Sequence, residues 1–332
     1  MNRNKKKPLI IATSAVFMIL VLLVLRMVVI PYVTYSRGES LMEKENYTEA
    51  AAIFKQIEGY KDSADKVKLC YEKAVDKYLK EGNYKEALLL LRKTADSKED
   101  IEKVKNFKVI YDKKVIHNES GDTVVSYKYD KNGNCTEEKT EYGDGTVYTS
   151  LYEYDKDGNP IKITGLDEKG DVSSVIEYSY DNKGNCIKKT SEIFNNNIKK
   201  SEEYIYDNNG LMIEAVGDGA ASKFYYNADG KLASKEYSSG GKDQYNYDKD
   251  GNLQEKITIT KDGKKETTFI TYNKYGEKNV ELYTDLYGKK QTHEYEYDEY
   301  GNEKEVKITD DSTNKITRRS YTYTGIKVSY KK

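Results

Sequence analysis

The chain changes its hydrophobic pattern twice along its length, and each regime predicts a different element type. After a polar start, Pro8 to Leu25 runs without a charge; Arg26 interrupts, and Met27 to Ile30 is apolar again. At about 1.5 Å per helical residue, residues 8–30 reach about 34 Å, enough for a bilayer core of about 30 Å. Arg26 lies near one end, from where it snorkels to the interface, and Tyr32 and Tyr35 supply interfacial aromatics. A cleaved signal peptide has a shorter apolar run ending in a small-x-small site. Pro31-Tyr32-Val33-Thr34-Tyr35 offers no such site, so the pattern predicts an uncleaved signal-anchor and a single membrane span. Arg3, Lys5, Lys6 and Lys7, with no acid in residues 1–7, put the N-terminus in the cytoplasm and the bulk of the chain outside.

Residues 34–107 contain no proline, and their apolar residues recur at three- and four-residue spacing, which predicts helices. Two stretches echo each other: Glu45-Asn46-Tyr47-Thr48-Glu49-Ala50 with Phe54, and Glu81-Gly82-Asn83-Tyr84-Lys85-Glu86-Ala87 with Leu91. The offset from Tyr47 to Tyr84 is 37 residues. These stretches resemble the tetratricopeptide repeat, whose period is about 34 residues. The resemblance implies that Tyr47, Ala50 and Phe54, and Gly82, Tyr84, Ala87 and Leu91, lock pairs of helices, with Glu45 in place of the first turn glycine and Gly38 at the small position of the first helix. It also implies a groove for a protein partner, although two copies are fewer than the three or so that such arrays need, and a helical spacer is the plainer role.

After Phe107 the period becomes alternating, and residues 108–332 read as strands. A motif recurs in which two residues, both aromatic in every copy but one, flank a variable one and run into Asp or Asn, with Gly three residues on. Its copies begin at Tyr127, Tyr152, Tyr178, Tyr204, Phe224, Tyr245, Ile270 and Tyr295; a ninth, Tyr321-Thr322-Tyr323, stands near the end of the chain. The glycines fall 25, 26, 26, 20, 21, 25 and 25 residues apart. Residues at i and i+2 share a strand face. Asp130, Asp155, Asp181, Asp207, Asp248 and Asp298 match the first position of a type I turn. Gly133, Gly158, Gly184, Gly210, Gly251 and Gly301 match its fourth, with φ > 0 in a bulge. A second turn lies midway in each period, so eight periods predict about sixteen antiparallel strands in a meander.

These copies resemble the YD repeat of the Rhs, wall-associated and teneurin families, with its Y-x-Y-D-x-x-G core. The resemblance implies a β-strip of the kind that coils into a hollow shell, often around a toxin. With only eight periods and no room for cargo after the ninth tyrosine pair, the expectation is an open, curved or partly coiled sheet. Carbohydrate or surface attachment is the function the resemblance implies.

Composition sharpens this picture. Tyr occurs 33 times against 6 Phe and no Trp, and the motif explains the excess. Tyr152 and Tyr154, Tyr178 and Tyr180, Tyr204 and Tyr206, Tyr245 and Tyr247, and Tyr295 and Tyr297 are candidate stacking platforms for sugar rings, since each offers a flat apolar face and a hydroxyl tip. Cross-strand core packing is their plainer role. Net charge is −1, and removing the +4 tail leaves −5 for the rest, so no basic field attracts nucleic acid. His117 and His293 stand alone, and the spacings of metal, nucleophile and phosphate sites are missing, so neither catalysis nor a cofactor is expected. Asp155-Lys156-Asp157-Gly158 is an incomplete calcium loop and reads as a turn. Cys135 and Cys186 are left open as a disulfide pair.

The expectation is therefore a surface protein: a cytoplasmic tail (1–7), a span (8–30), helices (34–107) and a repeat β domain (108–332) that binds wall polysaccharide or another envelope component. The alternatives are a scaffold whose helices engage an envelope protein, with the β domain as spacer, and an accessory part of a polymorphic toxin system. Richness in Lys, Asn, Ile and Tyr fits an AT-rich Gram-positive bacterium.

Overall fold

The computed structural model describes residues 17–331 and divides the chain into two units, Met1–Lys108 with Val328–Lys332, and Val109–Lys327. The basic tail and the first part of the apolar run lie outside the described residues.

The first unit begins with α1 (Phe17–Glu43), whose side chains are exposed from Phe17 to Ile30. The sequence pattern separates a span ending at Ile30 from helices beginning at residue 34; α1 instead runs unbroken through both. Pro31 stands in the first turn after a π-helical stretch, Leu25–Val29, in which Ile30 N–H donates to the Leu25 carbonyl, and the helix continues through it. Four further helices follow: α2 (Tyr47–Lys55), α3 (Ser63–Glu81), α4 (Tyr84–Thr94) and α5 (Lys98–Lys105). Glu45 takes φ 57° in the turn before α2, and Gly82 takes φ 77° as the C-cap of α3. Asn46 and Asn83 precede Tyr47 and Tyr84, the first residues of α2 and α4.

The core of this unit is shielded from solvent. Ala50, Ala51, Phe54, Cys70 and Ala87 have no exposed surface, and Leu88 and Leu91 almost none. Gly38 on α1 lies against the Phe54 ring so closely that a Cβ there would sit 2.7 Å from Phe54 Cζ. Tyr35 packs edge-on against Phe54 and Tyr60, and its hydroxyl donates to Asp62 Oδ1 at 2.5 Å. That bond, together with burial, lifts the Tyr35 phenol to about 12. The Tyr84 ring, at the start of α4, stacks on Tyr330, which also packs against Phe107. The reason is that β1 (Phe107–Ile110) pairs with β20 (Lys327–Tyr330), bringing the end of the chain back to this unit.

The second unit is a closed antiparallel barrel of eighteen strands, from β2 (Lys113–His117) and β3 (Thr123–Tyr129) to β18 (Glu303–Asp310) and β19 (Lys315–Thr324). Neighbours in the chain are neighbours in the ring. The expectation of about sixteen strands in an open or coiled sheet is thus corrected. β2, which precedes the first motif and was not counted with the repeats, pairs with β19, from Ser320 with His117 to Thr324 with Lys113. The first strand thereby supplies the missing half of the ninth period.

The motif turns fit type I turns followed by a bulge. In the first, Gly133 N donates to the carbonyl of Asp130 (3.1 Å) and Asp130 N to that of Asn134 (2.9 Å), and the strand register shifts at the adjoining Tyr129. Glycines from Gly133 to Gly301 in this position hold φ between 74° and 90°, where any other L-residue is strained. The three cysteines are free, including Cys135 and Cys186.

Candidate functional site

Strand alternation divides the barrel residues into two faces. The face carrying the tyrosine pairs is the more covered one: each member of the five candidate pairs is half-buried, while the residue between them, such as Glu153, Ser179, Ile205, Asn246 or Glu296, is exposed. The only fully buried barrel residues among those described are Val125, Asp243, Ile270 and Val306, and all four share the tyrosine face by register. This face is the inner wall. Eighteen strands enclose more width than inward side chains fill, in keeping with a wall that is half-buried almost throughout.

The outer face is a lattice of charge. Lys128 meets Glu137 at 2.8 Å, Lys199 meets Glu192 at 2.9 Å, and Lys307 and Arg318 reach Glu294 and Glu305 at 2.5 Å. A lipid-facing strand surface bears such residues only at a cost of about 2–4 kcal/mol for each Lys or Arg at mid-bilayer. The outer wall therefore faces water.

Within each pair the two tyrosines do different work. The second one donates its hydroxyl to a main-chain carbonyl one strand back. Tyr154 bonds Cys135 O (2.7 Å), Tyr180 bonds Pro160 O (2.7 Å), Tyr206 bonds Cys186 O (2.7 Å) and Tyr247 bonds Leu232 O (2.9 Å). Tyr129, Tyr226, Tyr272 and Tyr323 do the same with Tyr111, Met212, Leu253 and Glu303. Tyr297 is bonded to the backbone of Lys278. The result is a collar of phenol bonds around one end of the barrel, stitching strand to strand. The first tyrosines lie one pleat deeper and turn toward side chains instead: Tyr204 to Glu202 (2.9 Å), Tyr245 to Asp243 (3.2 Å) and Tyr295 to Glu281 (3.4 Å). Burial lifts the Tyr129 and Tyr297 phenols to about 12 and pushes Tyr152, Tyr154, Tyr180 and Tyr247 upward.

Asp243 is the one charged residue fully buried among the described residues. Its carboxylate accepts from Tyr237 (2.9 Å) and Tyr245 and pairs with Lys256 at 3.2 Å. Burial pushes its carboxyl up, but bonds from Thr258, Tyr237 and Lys256 outweigh that, and the net shift is downward. Sequence reasoning missed this cluster. The available signal was position: Asp243 stands two residues before Tyr245 and so shares its face. Lysines add to the wall, with Lys114 Nζ 4.5 Å from the centre of the Tyr321 ring and Lys235 Nζ 4.6 Å from that of Tyr237.

The turn aspartates, Asp130, Asp155, Asp181, Asp207, Asp248 and Asp298, use Oδ1 to accept two main-chain N–H bonds each, two and four residues on, at 2.8–2.9 Å. Their carboxylates thus serve the hairpins. Asp157, the second acid of the incomplete calcium loop, contributes only its main-chain N–H to Asp155. Of the helical positions, Ala50, Phe54, Ala87 and Leu91 are buried, Tyr47 and Tyr84 half-buried, and Gly82 exposed. Beside them a cavity of about 400 Å³ lies between α2, α3, α4 and α5, with Val67, Tyr71, Val75 and Leu91 on its walls and Lys55, Lys68, Lys93 and Lys103 around them.

The β unit carries eight repeats that run into Asp/Asn–Gly turns and a ninth tyrosine pair, and this pattern is similar to that of YD-repeat, Rhs-like proteins. Residues 91–221 match the family model described as Teneurin YD-shell, over less than half of the chain. No curated protein matches the sequence. Among solved structures, the chain is similar to the Photorhabdus luminescens Tc holotoxin pore with the TccC3-D651A mutation, at 14% identity and a TM-score of 0.28, over 56% of this chain and 12% of that one. It therefore spans only a small part of that protein's length. It is also similar to a porin-like protein from Bacteroides uniformis (13% identity, TM-score 0.37, 64% of this chain and 97% of that one) and to another from Bacteroides vulgatus (14%, 0.36, 65% and 99%). Overlaps this loose assign no function.

Proposed function

We propose that this is a non-catalytic binding protein of the cell envelope, tethered by residues 8–30 with its N-terminus in the cytoplasm, whose barrel holds a wall polysaccharide against its tyrosine-lined inner wall. One observation carries the reading. The tyrosine pairs converge on a single enclosed face, where half-buried ring surfaces alternate with hydroxyls, carboxylates and ammonium groups. Ring faces stack on the apolar faces of sugars, and the polar tips match their hydroxyls. The outer face instead mixes ion pairs with scattered exposed apolar residues such as Ile205, Tyr225 and Phe269, and the paired rings are on the other face.

The division of labour within the pairs makes this testable. First-position tyrosines can be removed without touching the collar. Full-length protein in detergent is titrated onto purified cell-wall polysaccharide, wild type beside Tyr152→Ala/Tyr178→Ala. Saturable binding by the wild type, weakened about tenfold or more in the double variant with its circular dichroism unchanged, is the expected result, since stacking is worth about 0.5–1.5 kcal/mol per aromatic pair. Absence of saturable binding by the wild type overturns the reading.

A second reading is favoured by the cavity beside α3. There the helices engage an envelope protein and the barrel is a spacer. Crosslinking that loses its partner with Leu91→Ala but retains it with Tyr152→Ala/Tyr178→Ala would favour it.

A further inference from the structure

The unbroken course of α1 fixes the height of everything packed against it. Tyr35 lies five residues beyond Ile30, or about 7.5 Å along the axis. The loop joining α2 to α3, residues 56–62, is clamped at this level. Tyr60 packs edge-on against Tyr35 with ring centres 5.9 Å apart, and Asp62 accepts the Tyr35 hydroxyl. Lys61, at φ 48°, sets its ammonium 4.4 Å from the Tyr35 ring centre, 5.5 Å from Tyr60 and 5.8 Å from Tyr32. Gly59, Lys61 and Asp62 are exposed, as is Tyr32. α3 then climbs alongside α1 in the same direction: Lys66 pairs with Glu39 at 3.7 Å, and Lys77 reaches the Glu45 carbonyl at 3.2 Å. The loop thus lies at the end of the helical fold nearest the apolar segment; α3 rises from it, and the turn between α4 and α5 comes back toward the start of α3, with Asp96 3.6 Å from Lys68.

The polar layer of a bilayer is about 5–7 Å thick on each side of its hydrocarbon core. A loop held about 5–8 Å beyond the last apolar residue falls within that layer. Its chemistry suits the depth, since tyrosines concentrate at headgroup level and a lysine above them presents its charge to phosphate oxygens. We infer that residues 56–62 are seated in the lipid headgroup layer, with Lys61, Tyr60 and Tyr32 contacting phospholipid phosphates, so that the helical unit stands directly on the membrane rather than on a stalk. This rests on the reading of residues 8–30 as a membrane span.

The chain has no tryptophan, so a single introduced indole reports one position. Full-length Tyr60→Trp, Leu22→Trp and Tyr78→Trp are each reconstituted in nanodiscs of equimolar phosphatidylcholine and phosphatidylglycerol. The discs carry a nitroxide either on the headgroup or at mid-chain. Gly59→Trp serves as a second loop reporter, because nothing lies within 4 Å of a Cβ at that position. Both loop reporters are expected to be quenched by the headgroup nitroxide at least about twofold more than by the mid-chain one, as interfacial aromatics are. Leu22→Trp should show the reverse order, and Tyr78→Trp, about 22 Å up α3 from Ser63, should be quenched by neither. Lys61→Gln in the Gly59→Trp background should reduce the headgroup quenching. If Leu22→Trp is quenched at mid-chain while both loop reporters behave like Tyr78→Trp, the seated loop is wrong and the span stands. If Leu22→Trp is itself unquenched, the span is wrong and the inference falls with it.

Discussion

The two units of this chain are held together by different physics. The helical unit excludes water from a compact cluster around Phe54, Cys70 and Leu88, and tolerates almost no change of shape there; Gly38 cannot carry even a methyl without displacing the Phe54 ring. The barrel has four fully buried residues among those described, and holds its wall by strand pairing, repeated turns and a collar of phenol-to-carbonyl bonds. One region is stable because of what it hides. The other is stable because its ring has no free edge. A repeat whose side chains are only half-covered cannot stand alone, but closing the ring lets each repeat lean on two neighbours.

Interventions on each region should fail in different ways. The largest effect is expected from Val115→Pro. Val115 sits in the middle of β2, between Thr322 and Val124, and proline there removes a ladder donor and clashes within the sheet. Hydrogen exchange followed by mass spectrometry should show protection lost first in β3 and β19, with the far side of the ring and the helices retained; uniform loss would mean that closure is not a separable element. Next comes Phe54→Ala. A cavity of that size costs about 3–5 kcal/mol, and the loss should appear in α2 and α3 with barrel exchange unchanged. A smaller effect belongs to Tyr180→Phe, which deletes the donor to the Pro160 carbonyl. A urea titration should register about 1 kcal/mol for one half-buried bond.

The smallest effect is one of pH. Bonds from the Asn185 side chain, and then from its main chain, hold the Asp181 carboxyl below the usual carboxylate range. A depressed folded value means that the contribution is present above the unfolded pKa of about 3.9 and fades as pH falls toward the folded one. Asn227 and Asn273 occupy the same turn position natively and accept the same main-chain bonds. Asp181→Asn should therefore leave stability at neutral pH nearly unchanged and shift the acid limb of the pH–stability curve slightly to lower pH. A large loss at neutral pH would show that the carboxylate charge, and not the acceptor, holds the hairpin.

Much of this arrangement is legible in the sequence because it is local. Two tyrosines at i and i+2, an Asp or Asn, and a Gly three residues on specify strand, face and turn within eight residues. Closure is not local. Lys113–His117 carries no tyrosine motif, and its role as partner to the ninth repeat depends on how many strands precede β19 and how far each tilts. The collar was illegible for a related reason: Tyr180 and Pro160 are twenty residues apart, and only the curvature of adjacent hairpins brings the hydroxyl to that carbonyl. In the helices, Ala50, Phe54, Ala87 and Leu91 are buried where the resemblance to a helical repeat puts packing residues, but the continuity of α1 through Pro31 is not legible, since a proline after an apolar run reads as an ending.

The pairing of β2 with β19 also sets the order of events in folding. His117 and Thr322, whose side chains are hydrogen-bonded across this seam, are 205 residues apart in the chain. Hairpins form from contiguous sequence as soon as both arms exist, but β2 waits for the last repeat to be synthesised, and bringing such distant strands together is entropically slow. Until then both ends of the growing sheet are open edges of the kind that recruit other chains. Lys113 and Lys114 at the start of β2, and Arg318 and Arg319 within β19, place like charges on those two edges, which keeps them soluble and discourages either edge from pairing with its own counterpart in a second molecule.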